Sequence, residues 1–301
     1  MVDLNLKLPD QFFLDEERDG YLVSSKIKEL WAVQLDLLCE FDRVCKKYEL
    51  KYILDFGTLL GAVRHKGFIP WDDDLDVSML REDYDVLMSV GPKEFKNPYF
   101  LQNHETESGY DCSVVKLRRS DTTFLMTENT RHRTTYNQGV FIDIFVFDNV
   151  PTDDPRFISK LNQDSYDAYL HMYALLHRPS LYDGIKLPLT IARYLYYKLL
   201  YGSAEKEYKR LETMARQFGQ SNYVANIFYL VTRCRPRKMF EETKNVSFEG
   251  LSFPVPVDYD KLLRDCYGDY MTPVRGSSAH TMVCFDTDRP YTEVLKEKKM
   301  I

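Results

Sequence analysis

The densest concentration of reactive side chains in the chain is Pro70-Trp71-Asp72-Asp73-Asp74-Leu75-Asp76-Val77. Alternate side chains of an extended segment share a face, so the spacing predicts that Asp72, Asp74 and Asp76 project together, with successive Cα atoms roughly 6.5 Å apart. Carboxylates so placed repel one another, and burial among Trp71, Leu75, Val77 and Met79 is costly unless a multivalent cation compensates. An all-oxygen donor set selects a hard ion, Mg²⁺ or Mn²⁺. A solvated acidic loop would not alternate into Leu, Val and Met. A calcium loop of EF-hand type needs Gly at its sixth position and Glu at its twelfth, where this chain has Val77 and Asp83.

A second acidic position lies in Val140-Phe141-Ile142-Asp143-Ile144-Phe145-Val146-Phe147. An Asp inside so apolar a strand is either hydrogen-bonded for structure or held for function. Beside an acidic metal strand, Asp143 becomes a candidate further ligand, because a two-metal site for phosphoryl chemistry draws carboxylates from at least two elements. The third piece is Phe56-Gly57-Thr58, read as a strand-to-helix turn whose backbone N–H groups can receive a phosphate that the glycine lets approach. Alone, Gly57-Thr58 is equally an ordinary turn. The order of an apolar-Gly-Thr turn, Asp74-Leu75-Asp76-Val77 and Ile142-Asp143-Ile144 is that of the nucleotidyltransferase (polymerase β-like) fold.

These groups need elements to position them. Ser24 is placed as N-cap of a helix to about Tyr48, since Ile27, Leu30, Trp31, Leu38, Phe41, Cys45 and Tyr48 recur at helical steps. A strand over Lys51 to Phe56, a short helix over Leu59 to His65 and a Lys66-Gly67 turn follow. Strands are expected over Leu75 to Met79, Val114 to Leu117, Thr122 to Met126 and Gly139 to Phe147, with a helix over Arg81 to Ser89. Helical periodicity then covers Pro155 to His177, Leu187 to Tyr201 and Ala204 to Phe218. Phe248 to Val257 reads as a loop or edge strand because of Pro254 and Pro256, and Tyr259 to Tyr267 as a helix closed by Gly268. The expectation is an α/β (α+β) chain. Its nucleotidyltransferase core has a small mixed sheet and an N-terminal helix over 21–150, and a mainly helical portion over 151–301 packs on it as one domain, 1–301.

A 44% apolar fraction over 301 residues fills a substantial core, and a formal net charge of −6 does not suit a general nucleic-acid binder. The cysteines, Cys39, Cys45, Cys112, Cys234, Cys266 and Cys284, show no zinc spacing and read as reduced, mostly buried thiols. Asp3, Lys7 and Asp10 interrupt the place of a secretion signal, and no segment holds about 18 consecutive apolar residues, so a cytoplasmic enzyme is expected.

The block GTLLGAVRHKGFIPWDDDLDV, Gly57 to Val77, closely resembles the LicD family, which includes bacterial phosphocholine transferases and is related to animal fukutin-related proteins. The resemblance continues through Leu101-Gln102-Asn103, Lys116-Leu117-Arg118, Thr122-Thr123-Phe124, the Gly139 to Asp148 strand and Tyr267-Gly268-Asp269-Tyr270-Met271, covering the chain from about Tyr21 to His280. It implies a transferase that moves phosphocholine from CDP-choline to a hydroxyl of a teichoic acid or lipopolysaccharide precursor, releasing CMP. By that resemblance Asp74 and Asp76 hold the metals, two Mg²⁺ or Mn²⁺ ions in the active complex. Asp72 assists them and Asp143 completes the site. Transfer of glycerol or ribitol phosphate, or nucleotidyl transfer, is the alternative within the same chemistry; a non-enzymatic cation-binding protein is the alternative outside it.

For such a donor, Gly57 and Thr58 with Arg64, Lys116 and Arg118 are the candidates to surround the diphosphate. A quaternary ammonium needs aromatic faces, and Trp71, then Tyr267 and Tyr270, with His280 behind them, are the candidates for that wall. Ile185 to Tyr201 mixes Leu, Ile and Tyr with Lys186, Arg193 and Lys198. It reads either as an interfacial helix touching the inner face of a membrane or as a buried helix with charges at its rim.

Overall fold

The computed structural model describes residues 1–132, 134–227, 233–276 and 282–300. The chain forms two compact units, one of Met1–Gln102, Val115–Phe145 and Lys238–Ile301, the other of Asn103–Val114 and Val146–Arg237. The expected division at residue 150 therefore gives way to an interleaved one, in which residues beyond 238 return to the unit that holds the acidic run.

In the first unit a hairpin of β1 (Glu16–Arg18) and β2 (Tyr21–Val23) leads into helix α1 (Ser25–Lys47). Ser24 caps α1 as expected: its hydroxyl accepts a hydrogen bond from the Ile27 amide. Leu30, Trp31, Leu38, Phe41 and Cys45 are buried along its inward stripe. Strand β3 (Tyr52–Leu54) and helix α2 (Phe56–Arg64) follow. The helix starts three residues earlier than the sequence suggested, because the Asp55 carboxylate caps it by accepting from the Phe56 amide at 2.7 Å. Gly57 and Thr58 thus lie in the first turn of α2 and not in a turn before it.

Strand β4 (Asp76–Leu80) begins only at the last Asp of the acidic run. The preceding residues do not pair as a strand because side chains of α1 take their carbonyls: the Trp31 indole donates to Asp72 O at 3.1 Å and the Gln34 amide to Asp73 O at 2.7 Å. Helix α3 (Arg81–Glu94), β5 (Tyr99–Gln102), β6 (Val115–Arg119), β7 (Thr123–Met126), the short α4 (Thr127–His132) and β8 (Val140–Val150) complete this run. Within the first unit the sheet runs β3-β4-β8-β6-β5. β3 pairs antiparallel with β4, and β6 pairs antiparallel with β5 and β8, placing Lys116 opposite Asp143 and Arg118 opposite Phe141.

The second half of the chain carries the expected helices and, besides them, short strands. Helices α5 (Pro155–Leu176), α6 (Leu187–Tyr201) and α7 (Ala204–Arg216) belong to the second unit, where β9 (Tyr223–Ala225) pairs with β10 (Cys234–Pro236) and with the end of β8. After the short α8 (Lys238–Glu241), strands β11 (Thr243–Phe248) and β12 (Leu251–Pro256) form a hairpin in the first unit. Pro254 and Pro256 fit because this is a two-stranded ribbon. Helix α9 (Tyr259–Tyr267) ends at Gly268, whose φ of 64° favours glycine. β13 (Met282–Asp286) pairs with β7, and α10 (Tyr291–Glu297) buries Val294 and Leu295. The architecture is α+β with several small sheets. No helix among the described residues is long and apolar enough to cross a membrane. All six cysteines are free, but only Cys45 is buried; the others are partly exposed.

Candidate active site

Three short elements converge where β3 gives way to α2. The amide of Asp55 donates to Asp76 O at 3.1 Å, and the amide of Asp143 donates to Leu75 O at 2.8 Å. Between them the Thr58 hydroxyl accepts from the Asp76 amide at 2.7 Å. Thr58 is thereby a clamp on the acidic strand, a role different from the phosphate contact expected of it. Asp55 is buried, and beyond capping α2 it accepts from the Ser78 hydroxyl at 2.5 Å.

Asp72, Asp73 and Asp74 each place a carboxylate oxygen within 4.8 Å of the others. The expected grouping was Asp72, Asp74 and Asp76; because the chain is irregular before Asp76, Asp73 joins the cluster, while Asp76 lies buried beside it. Burial pushes the Asp76 carboxyl well above the usual carboxylate range, and the charges of Asp74, Asp143, Asp72 and Asp55 push it further. Burial likewise lifts Asp72 to about 6, against a hydrogen bond with Asp74 that lowers it.

Gly57 makes the cluster sterically feasible. A Cβ on this residue would lie 2.8 Å from Oδ2 of Asp72, closer than real Cβ contacts. Phe56 beside it has φ 45°, the left-handed region that costs a large aromatic residue energy, and its ring rests 4.6 Å from that of Phe145. The entry to α2 is thus strained where the carboxylates meet.

Of the expected cations, Lys116 is buried, ion-paired to Asp143 and 3.6 Å from the centre of the Phe141 ring. Arg118 is fully enclosed, donating to the Gln102 side chain and, at 2.7 Å, to Gly139 O. Arg64 ends α2, about 10 Å along the helix axis from Gly57, and donates to Tyr270 O at 2.8 Å. Burial lowers its pKa from the ordinary arginine value.

Among the expected aromatic residues, Trp71 is partly exposed and meets Tyr21 edge-on at 5.9 Å; the Arg275 guanidinium lies over the Tyr21 ring, 5.0 Å from its centre. Tyr270 is buried and donates its hydroxyl to Asp260 at 2.6 Å, while Tyr267 is exposed. His280 lies outside the described residues.

Sequence reasoning passed over Asp55, Asp73 and the supports behind them. Asp55 stands directly before Phe56-Gly57-Thr58 and was legible as a cap; Asp73 was discounted by assuming strict alternation. Glu249, at the tip of the β11–β12 hairpin, left no local signal. It accepts from the Phe68 amide at 3.0 Å and from Arg18 at 2.7 Å, tying down the segment that leads to the acidic run.

The donor chemistry suits a hard divalent ion: clustered carboxylate oxygens, partly desolvated, with a glycine clearing the space beside them. A buried group of this charge, formed on two strands and the preceding segment, is what metal-assisted phosphoryl chemistry requires.

Residues 49–168 match the family described as "LicD/FKTN/FKRP, nucleotidyltransferase domain". The matched segment contains Gly57, Thr58, the acidic run and Asp143. The chain is also similar to the lipopolysaccharide cholinephosphotransferase LicD of Haemophilus influenzae, 28% identical over 262 residues that cover 81% of this chain and 91% of that protein. Over 79 residues, 26% of this chain and 29% of the relative, it is 42% identical to an uncharacterized protein of Rickettsia prowazekii.

Proposed function

We propose that this chain transfers phosphocholine from CDP-choline to a hydroxyl of a cell-surface glycan precursor of lipopolysaccharide or teichoic acid type, releasing CMP. The observation that carries the reading is the gathering of Asp72, Asp73 and Asp74 within 4.8 Å beside buried Asp76, at a helix start kept open by Gly57. Similarity to a lipopolysaccharide cholinephosphotransferase over most of the chain supports phosphocholine as the group transferred and lipopolysaccharide as the acceptor.

Asp72, Asp74, Asp76 and Asp143 would hold a pair of Mg²⁺ or Mn²⁺ ions, which when bound neutralise charge on the diphosphate and its leaving oxygen. The chain's own residues do the rest. Lys116 aligns Asp143 through their buried ion pair, and Asp143 takes the proton of the acceptor hydroxyl. The acceptor oxygen bonds to the phosphorus bearing choline as the bond to CMP breaks, and CMP leaves with the electron pair. Thr58 fixes the backbone of Asp76, and Arg64 is the cation assigned to the diphosphate of the donor. Trp71 with Tyr21 offers aromatic faces to a quaternary ammonium.

The test is calorimetric titration of the chain in Mg²⁺ with CDP-choline, CDP-glycerol, CDP-ribitol, CTP and ATP, the best binder repeated in EDTA. CDP-choline binding above the others and lost in EDTA is the expected result. Preference for another CDP-alcohol would move the reading to that phosphoalcohol, and no nucleotide binding would overturn it.

A further inference from the structure

Helix α6 packs on its own unit by one face only. Tyr197 and Tyr201 meet His171 of α5, the latter stacked at 3.6 Å, and Tyr194 lies on the same side of the helix. No residue of the helix is buried. At 100° per residue, the opposite face collects Leu189, Leu195, Tyr196, Leu199 and Leu200, with Leu189 72% and Leu199 85% exposed, and no charged residue falls among them. Just before the helix Ile185 is 98% exposed. Soluble surfaces rarely leave so many contiguous large apolar side chains in water.

The charges around this face identify its partner. On the same helical projection Lys186 and Arg193 border one edge and Lys198 the other, and all are exposed. From 184 to 203 the chain has no Asp or Glu, although its overall charge is −6. An outward apolar face bordered on both sides by cations matches a bilayer whose headgroups are anionic: the leucines enter the acyl boundary while the cations meet phosphates. The helix is 15 residues, about 22 Å, so it lies in the interface plane and does not span it.

We propose that the outer face of α6 docks the protein on an anionic phospholipid surface. The proposal stands on this face alone and is independent of the chemistry assigned to the acidic site.

Flotation of the full chain with phosphatidylglycerol/phosphatidylcholine vesicles, against pure phosphatidylcholine vesicles, tests it. The chain should float with the anionic vesicles and stay at the bottom with the neutral ones. Leu195→Glu/Leu199→Glu should abolish flotation, and replacing Lys186, Arg193 and Lys198 by Gln should weaken partitioning by about five-fold per cation. Circular dichroism should show each variant as helical as the parent, since the changed side chains are exposed. Failure of the parent chain to float, or equal flotation with both vesicles, overturns the proposal. So does a dimer in light scattering that the double Glu variant converts to monomer without any vesicle binding by the parent, which would assign the face to a second copy of the chain.

Discussion

Gly57 and Asp72 occupy one space: the carboxylate oxygen of Asp72 lies where it would be 2.8 Å from a Cβ on Gly57. The two residues are fifteen positions apart in sequence, yet the position of the first acidic side chain depends on residue 57 having none. Gly57→Ala separates stability from function. Alanine favours a helix over glycine by up to about 1 kcal/mol, and the atom it meets is the end of a movable side chain. The melting temperature should therefore be unchanged or raised, while CMP release falls at least tenfold because Asp72 is displaced; parallel calorimetry and CMP assays check this.

Asp76→Asn should also spare the fold. It removes a charge that Asp74, Asp143, Asp72 and Asp55 all disfavour, so the metal-free protein becomes no less stable. Thermal melts with and without Mg²⁺ give the sharper reading. Ligand at a hundredfold excess over Kd stabilises by about 2.7 kcal/mol. The parent chain should gain an Mg²⁺-dependent shift that EDTA reverses, and Asp76→Asn should lose both the shift and turnover.

Lys116→Met leaves the Asp143 charge buried without its cation. Breaking one side of such a pair costs about 3–5 kcal/mol, so a drop of several kcal/mol in urea unfolding is expected. Adding Asp143→Leu should restore much of that stability without restoring activity, because the two losses have different origins. A double variant as unstable as Lys116→Met would show that the ion pair is not the cause.

In the second unit, His104 sits against Tyr110 and Tyr208 with Nε2 enclosed and without a hydrogen-bond partner among the described residues. Burial lowers its pKa to about 4. The unfolded chain thus binds the proton more readily, so this contribution is complete above about pH 6.5 and is lost as the pH falls towards 4, by up to about 3 kcal/mol. Urea unfolding between pH 7 and 4.5 should show a smaller loss for His104→Phe than for the parent chain.

The parts of the fold that were legible carry their cause locally. Ser24 and the apolar stripe fixed the start and face of α1, and Pro155 and Gly268 marked ends of α5 and α9. The Asp72 to Asp76 run and Asp143 stood out because charge amid apolar residues is costly. Asp73 was missed because α1 side chains, distant in sequence, hold the run out of strand geometry. The enclosure of Arg118 and the anchoring by Glu249 depend on partners brought by the fold, so no window of sequence contains them. The hairpin β11–β12 was reduced to an edge by its prolines, a reading that held for one strand and hid the other.

The interleaving of the two units bears on the order in which the molecule can be made. Every acidic ligand candidate has been synthesised by residue 143, but the hairpin that reaches back to Phe68 and Arg18 is not synthesised until residue 249. Residues 146–237, most of the other unit, emerge in between and can collapse among themselves. During that interval the carboxylates lack one of the ties that hold their approach segment. The repulsive cluster is therefore a late assembly, completed only after most of the chain has already found its partners.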